Sequence, residues 1–439
     1  MKVRSFIAPD AKTPNDLIAT EIENVEAKYQ VSKKKQIICG LDVGTTKICM
    51  MIARAHPDGS LEVLSTGYAN SSGLKKGVVV DLDEAAASIR KAADEAEAKS
   101  GVSVDWVIIG AAGDHFQGFN SHGAITIEGN HQEVTAEAMD QVIRAAQSIP
   151  IPPDREVIHV LPQEFFLDDH GGIQNPVGLF GSRLDVNIHV VTCQSALNQN
   201  LINAVNRAQM RVRKVVLQQL ASAEAVLTKD ERELGTAVID IGGGTTDIAV
   251  YIKNAVQFTK VLPVGGTHFT RDLAIGLQTP MEEAERIKKE SGTVLTERIV
   301  DDETVVVPGM GTRAARSVPR KVICEILRDR ATEMLELIKD QLWKAVENER
   351  LIAGIVVTGG GSILDGMLEL TEETLGMPVR QGLPLGVRGL TEELSHPVYA
   401  TSIGLALFGA EDSGYRKKSI GKTNGSPGLF NRILSWAGN

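Results

Sequence analysis

Residues 37–53, IICGLDVGTTKICMMIA, and residues 236–252, TAVIDIGGGTTDIAVYI, say nearly the same thing twice. Each is an apolar, β-branched run that closes on Asp-Val-Gly or Asp-Ile-Gly, turns through Gly and Thr, and becomes apolar again. That pattern predicts a strand, a tight turn and a second strand. Asp42 and Asp240 stand far enough apart for each hairpin to open its own domain. Two such hairpins facing each other, rich in backbone N–H groups and hydroxyls, would clamp a phosphate chain.

The residue types fit that chemistry. In the first hairpin Gly44 allows close approach of a phosphate, and Thr45, Thr46 and Lys47 can donate to its oxygens. In the second, Gly242, Gly243 and Gly244 permit positive φ and a concave ring of N–H groups, followed by Thr245 and Thr246. Asp42 and Asp240 are expected at strand ends, holding Mg²⁺ through its waters or acting on a nucleophilic water. A single Asp-x-Gly-x-Thr is often only a turn; the duplication is what carries the reading. A third Gly cluster, VVTGGGSILDG (356–366), places Gly359, Gly360 and Gly361 between a β run and an expected helix. There a purine and ribose could lie close to the backbone, with the helix N-terminus toward phosphate.

Composition narrows the partners. The 439 residues allow two to four domains, with 43% hydrophobic and 23% charged residues, as in ordinary globular proteins. A formal charge of −10 and 4% aromatics argue against nucleic acid as a partner. Cys39, Cys49, Cys193 and Cys324 are scattered without metal-ligand spacing, which favours a reducing, cytoplasmic setting. The polar start of the chain has no secretory signal, and Asp42 and Lys47 interrupt its longest early apolar stretch.

Strands alternating with helices indicate an α/β architecture. Expected elements include a helix over 82–99, a strand from Trp106 to Ile109, strand-like HGAITIEG (122–129), and helices over 135–148, 195–209 and 397–409. Residues 266–345 are expected to hold two or three helices and an extended charged stretch, 293–319.

The last residues have a different character. Leu429, Phe430, Ile433, Leu434 and Ala437 share one helical face with Trp436 beside it, and Asn431, Arg432 and Ser435 lie opposite. A short amphipathic helix of this kind suits a membrane surface, or else it docks on its own core. Arg416, Lys417, Lys418 and Lys422 in the polar segment before it would add attraction to anionic lipid.

LDVGTTK, DIGGGTTD and VTGGGSILDG together resemble the phosphate and adenosine loops of the actin, Hsp70 and sugar-kinase superfamily. More closely, LASAEAVLTKDERELGTAVIDIGGGTTDIAVY (220–251), KVLPVGG (260–266), AGIVVTGGGSILDGM (353–367) and HPVYATSIGLALFG (396–409) are similar to the FtsA family of bacterial actin-like cell-division proteins. The resemblance implies an actin-like (ribonuclease H-like) two-domain fold. Its parts are a flexible arm (1–35), subdomain 1A (36–112, 189–214 and 385–410) and a subdomain 1C insert (113–188). Subdomain 2A (215–265 and 346–384), subdomain 2B (266–345), a linker (411–427) and a membrane-targeting amphipathic helix (428–439) complete it. It further implies ATP with Mg²⁺ between the halves, with Glu285 and Lys288 offered to base or ribose. A solvated helix face reads equally well from those two residues. Gln219 stands where relatives place a water-orienting Glu or Gln, and a Gln there implies at most a slow ATPase.

The resemblance also implies self-assembly into filaments and attachment to the cytoplasmic face of the cell membrane at the division site. The FtsZ C-terminal peptide would bind near Arg330, Arg328 and Lys321, and late division proteins would meet 1C. A sugar or acetate kinase would need a catalytic Asp in a substrate cleft, and none can be named. An Hsp70 chaperone would need a substrate-binding domain beyond this length. A pilus-assembly actin homologue is the nearest rival, and it normally lacks such a tail.

Overall fold

The computed structural model describes residues 36–128, 132–300, 302–346 and 350–413. The expected arm, most of the linker, and the amphipathic helix with Leu429, Phe430, Ile433, Leu434 and Trp436 lie outside the described residues. Among the described residues no helix is long and apolar enough to cross a membrane.

The duplicated sequence is a duplicated topology. Strands β1 (Ile37–Val43), β2 (Lys47–Ala55) and β3 (Leu61–Asn70) form an antiparallel meander. Helix α1 (Leu82–Ser100) then returns the chain to β4 (Trp106–Ala111), parallel to β1. The Asp81 carboxylate caps α1 by accepting from the Asp83 and Glu84 N–H groups, and Gly101 in the left-handed region ends it.

The chain next leaves this sheet for an insert. It comprises β5 (Gln117–Thr126), α2 (Ala136–Gln147), β6 (Arg155–Leu167), β7 (His170–Ile173) and β8 (Arg183–Gln194), in the sheet order β5-β8-β6-β7. Leu184, Val186, Ile188 and Val190 of β8 pack with Met139, Val142, Ile143 and Ala146 of α2, so one sheet face is covered by that helix. Helix α3 (Ser195–Arg207) and β9 (Arg211–Leu217), parallel to β4, complete the first half.

After α4 (Gln218–Val226) the second half repeats the scheme. Strands β10 (Thr236–Ile241), β11 (Thr246–Ile252) and β12 (Ala255–Leu262) form a second meander. Helices α5 (Gly266–Leu277), α6 (Met281–Ser291) and α7 (Arg320–Ala345) follow. Strand β13 (Ile355–Thr358) then pairs parallel with β10, and β14 (Val379–Gln381) pairs parallel with β13 after α8 (Met367–Leu375). Residues Val387–Arg388 rejoin the first sheet beside β3, and α9 (Ala400–Asp412) packs back against β1 and α4. Gly404 permits that last contact, because a Cβ there would sit 1.8 Å from the Ala221 carbonyl oxygen.

Several expectations shift. The strand expected over 122–129 runs from Gln117 to Thr126, because its register is set by β8. The β run before the third Gly cluster ends at Thr358, where Gly359 takes φ 81. The closing helix reaches Asp412, into the expected linker. The extended stretch 293–319 contains a small hairpin, Thr304–Val307 against Arg316–Pro319. All four cysteines are buried and free.

The insert is tied to the second half through edge strand β12. Asn120 Nδ2 donates to the Gln257 carbonyl (3.2 Å), and Gln163 Nε2 donates to that of Val256 (2.9 Å). His189 bridges the seam, with Nε2 2.8 Å from Thr259 Oγ1 and Nδ1 2.6 Å from Asn120 Oδ1. Side-chain amides thus satisfy carbonyls that an edge strand would otherwise expose.

Burial pushes the His189 pKa from 6.5 down to about 4, so the imidazole is neutral in the fold. The unfolded chain takes up that proton first. The seam's stability is therefore intact above pH 6.5 and is lost as pH falls toward 4, by up to roughly 1.4 kcal/mol per pH unit. Urea unfolding at pH 7.5 and 5.0 should show His189→Gln narrowing the difference between the two pH values. An unchanged difference would contradict a buried neutral imidazole.

Candidate functional site

The β1–β2 and β10–β11 turns meet face to face. A Cβ on Gly243 would lie 2.4 Å from Thr46 Oγ1, and one on Gly244 would lie 2.5 Å from Thr45 Oγ1. None of Gly242, Gly243 and Gly244 uses the positive φ that glycine permits. Their lack of side chains serves close approach to the opposite hairpin. The second turn is braced from behind, since Gly266 and Thr267 N–H groups donate to the Gly242 and Gly243 carbonyls at 2.9 and 2.8 Å. Thr246 Oγ1 donates to the Val264 carbonyl at 2.8 Å. In the first turn the Gly44 N–H donates to the Lys47 carbonyl (3.0 Å), and Thr45 Oγ1 accepts from the Gly77 N–H (3.1 Å).

Three carboxylates lie buried at this junction. Asp42 Oδ1 accepts from Gln218 Nε2 at 2.9 Å, and its Oδ2 is 3.5 Å from Lys47 Nζ. Lys47 also donates to the Val398 carbonyl and lies over the Tyr399 ring. Asp240 Oδ2 accepts from Ser222 Oγ and from Thr401 Oγ1 (3.1 Å). Asp247, opposite Asp240 in the β10–β11 register, accepts from Thr245 Oγ1 at 3.0 Å. Its Oδ1 is buried and has no hydrogen-bond partner among the described residues.

Burial raises the pKa of Asp42, and the nearby Asp240 raises it further against the pull of Lys47. Burial also raises Asp240, opposed by its hydroxyl donors. Asp247 is pushed well above the ordinary range by burial, then by Asp240 and Asp42. Crowded carboxylates of this kind are relieved by a divalent cation, so the residues present fit Mg²⁺ with a nucleotide. Sequence reasoning missed Asp247; its place in the repeated motif, opposite Asp240 across a hairpin, was the available signal.

Gln219 requires a correction. It is 0% exposed, and neither amide atom finds a partner among the described residues. Its neighbour Gln218, missed from sequence, is the one that reaches Asp42. Helix α4 begins at Gln218 directly after β9, and successive helical residues point about 100° apart, so one faces the cleft while the next enters the core.

The third Gly cluster also differs from expectation. A 3₁₀ turn, Gly360–Ile363, follows β13, and α8 begins only at Met367. Gly359 and Gly361 pack against Asp240 and Ile241, while open space lies beside Gly360. On α6, Lys288 Nζ contacts Glu285 Oε2 (2.6 Å), Thr270 Oγ1 (2.9 Å) and the Gly266 carbonyl (3.1 Å). This links both residues to the second hairpin through Gly266. Burial lowers the Lys288 pKa; it would raise that of Glu285, but hydrogen bonds from Lys288 and Thr270 outweigh it and hold Glu285 low.

The cationic trio on α7 is divided. Arg330 pairs with Asp272 of α5 and with Glu333 (2.6 Å), whereas Arg328 faces Glu297 (2.9 Å) and Glu373. Lys321, seven positions before Arg328, shares its flank of the helix by the helical period.

Two α/β halves with repeated meanders, turns that face each other and a helix packed back against the first half define an actin-like protein. Solved structures agree: the chain superposes on a PilM–PilN type IV pilus biogenesis complex with TM-score 0.62 at 17% identity, covering 85% of this chain and 98% of that one. MreB5 of Spiroplasma citri bound to ADP gives TM-score 0.52 at 13% identity, covering 86% and 97%.

Sequence comparison goes further. The model for cell division protein FtsA matches residues 237–404, and that for the SHS2 domain inserted in FtsA matches 113–192. Cell division protein FtsA of Pseudomonas aeruginosa is 40% identical over 376 residues, 86% of this chain and 90% of its own. Those of Escherichia coli K12 and Neisseria meningitidis are each 36% identical, over 86% and 93% of this chain and 91% and 100% of their own. The chain belongs to the FtsA family of cell-division proteins.

Proposed function

We propose that this protein binds ATP with Mg²⁺ between its two hairpins, polymerises on the cytoplasmic face of the cell membrane, and tethers the FtsZ ring during division. The carrying observation is the direct contact of Thr45 and Thr46 with Gly244 and Gly243 beside three buried carboxylates. Bound ATP would supply the charge that draws Mg²⁺ and holds the halves together. Thr45, Thr46, Lys47 and the backbone of 242–246 would hold its phosphates, and Asp42, Asp240 and Asp247 would hold Mg²⁺ through water. Gly359, Gly360 and Gly361 would border the adenosine, with Glu285 and Lys288 near its ribose or base. Gln218, rather than Gln219, would orient a water, so hydrolysis is slow at most. That the MreB5 structure holds ADP supports the nucleotide reading.

The subdomain boundaries belong to the same proposal: 1A, 1C, 2A and 2B as given by the resemblance, followed by linker and amphipathic helix. The likeness to the pilus protein concerns the fold; FtsA relatives at 36–40% identity favour the division role. The insert 113–188 would face late division proteins. Residues 429–436 would lie in the lipid surface, each a weak anchor that gains effective concentration along a filament.

For the FtsZ C-terminal peptide, Arg330 is the residue to test. Asp272 of α5 and Glu333 pair with its guanidinium, which stays partly exposed on α7. Arg330→Glu should weaken peptide binding about 10-fold or more by fluorescence anisotropy, while Arg328→Glu, on the other flank, should weaken it less. Equal affinity of Arg330→Glu and the parent would remove the peptide from this site.

A further inference from the structure

The insert's sheet has a second face, opposite α2, and only part of it is covered. Register places Asp185 beside Phe166, and Asn187 beside both His122 and Glu164. His189, further along the same face of β8, is buried against Thr259 of β12. Beyond that seam the face opens into a recess of about 290 Å³ lined by His122, Phe166, Asp169, Arg183, Asp185 and Asn187.

At its base Asp185 is 5% exposed and unevenly satisfied. Its Oδ1 takes both available donors, Arg183 Nη2 at 2.7 Å and His122 Nε2 at 3.1 Å. Its Oδ2 is buried with no hydrogen-bond partner among the described residues. A buried carboxylate oxygen without a donor is costly, and Asp185 lines the recess from which a donor could come. His122 Nδ1 is already 3.1 Å from Asn187 Oδ1.

We propose that this recess is a binding site for a guanidinium group. The cationic side chain lining it, Arg183, is engaged with Asp185, and Asp169 adds a second negative charge, so an anion is disfavoured. The Phe166 ring offers a flat wall on which a planar guanidinium stacks while its N–H groups reach Asp185 Oδ2 and Asp169. The site shares no residue with the facing hairpins.

The test is ligand-observed NMR on the full chain with methylguanidinium, and with tetramethylammonium as a cation lacking N–H donors. Methylguanidinium should bind saturably at millimolar concentration, and tetramethylammonium should not displace it. Asp185→Asn should weaken binding by roughly 10-fold or more, and Phe166→Leu, which leaves the buried carboxylate alone, by roughly 5-fold. A parallel titration with N-acetyl-arginine N-methylamide separates the sources: a gain in affinity over methylguanidinium assigns the site to an arginine of a peptide, and equal affinity assigns it to a free guanidinium compound. Binding unchanged in both variants, or equal binding of tetramethylammonium, overturns the proposal.

Discussion

Replacing Gly243 by Val should abolish Mg-ATP binding, lowering affinity at least ~100-fold. A Cβ at this position meets Thr46 at 2.4 Å, and the contact is with the opposite hairpin, so relief requires the two halves to part. The turn cannot retreat, because Gly266 and Thr267 hold its carbonyls from behind. Overpacking of this size costs about 1–3 kcal/mol, which a domain of this size can absorb without unfolding. Calorimetric titration with Mg-ATP, alongside a melting curve without nucleotide, distinguishes a parted clamp from an unfolded chain. A folded Gly243→Val protein that binds Mg-ATP as the parent does would contradict the facing-hairpin site.

Gln218→Ala should slow single-turnover ATP hydrolysis by about 100-fold while leaving ATP affinity nearly unchanged, the behaviour of a residue that orients a water. Gln219→Leu should leave the rate unchanged and raise stability by ~1 kcal/mol, because it removes a buried amide that has no partner among the described residues. The reverse pair of results would return the role to Gln219.

The contrast between these two glutamines shows where sequence reading reaches and where it stops. The doubled hairpin was legible because both copies are β-branched, apolar and punctuated by Gly, and the same meander recurs in both halves. The phase of α4 was not legible, since it depends on where β9 hands over to the helix. The glycine triplet is legible, but its packing role is not: Thr45 and Thr46 come close only after the chain has folded two halves together.

In the insert, Gln117–Thr126 reads poorly as a strand because one face meets solvent or the polar seam, leaving few apolar residues to mark the period. Arg328 and Arg330 lie close in sequence, yet two positions apart on a helix means opposite flanks. Asp247 and Asp185 were invisible as sites, because their meaning lies in an oxygen that folding buries without a partner.

Whether a nucleotide clamp drives assembly on a membrane can be read from sedimentation with anionic liposomes. Full-length protein and a chain ending at Pro427 are compared with and without Mg-ATP. The full chain should pellet with lipid, and more strongly with Mg-ATP, while the shortened chain should stay in the supernatant. Equal lipid binding by the two chains, or binding indifferent to Mg-ATP, would contradict clamp-driven assembly.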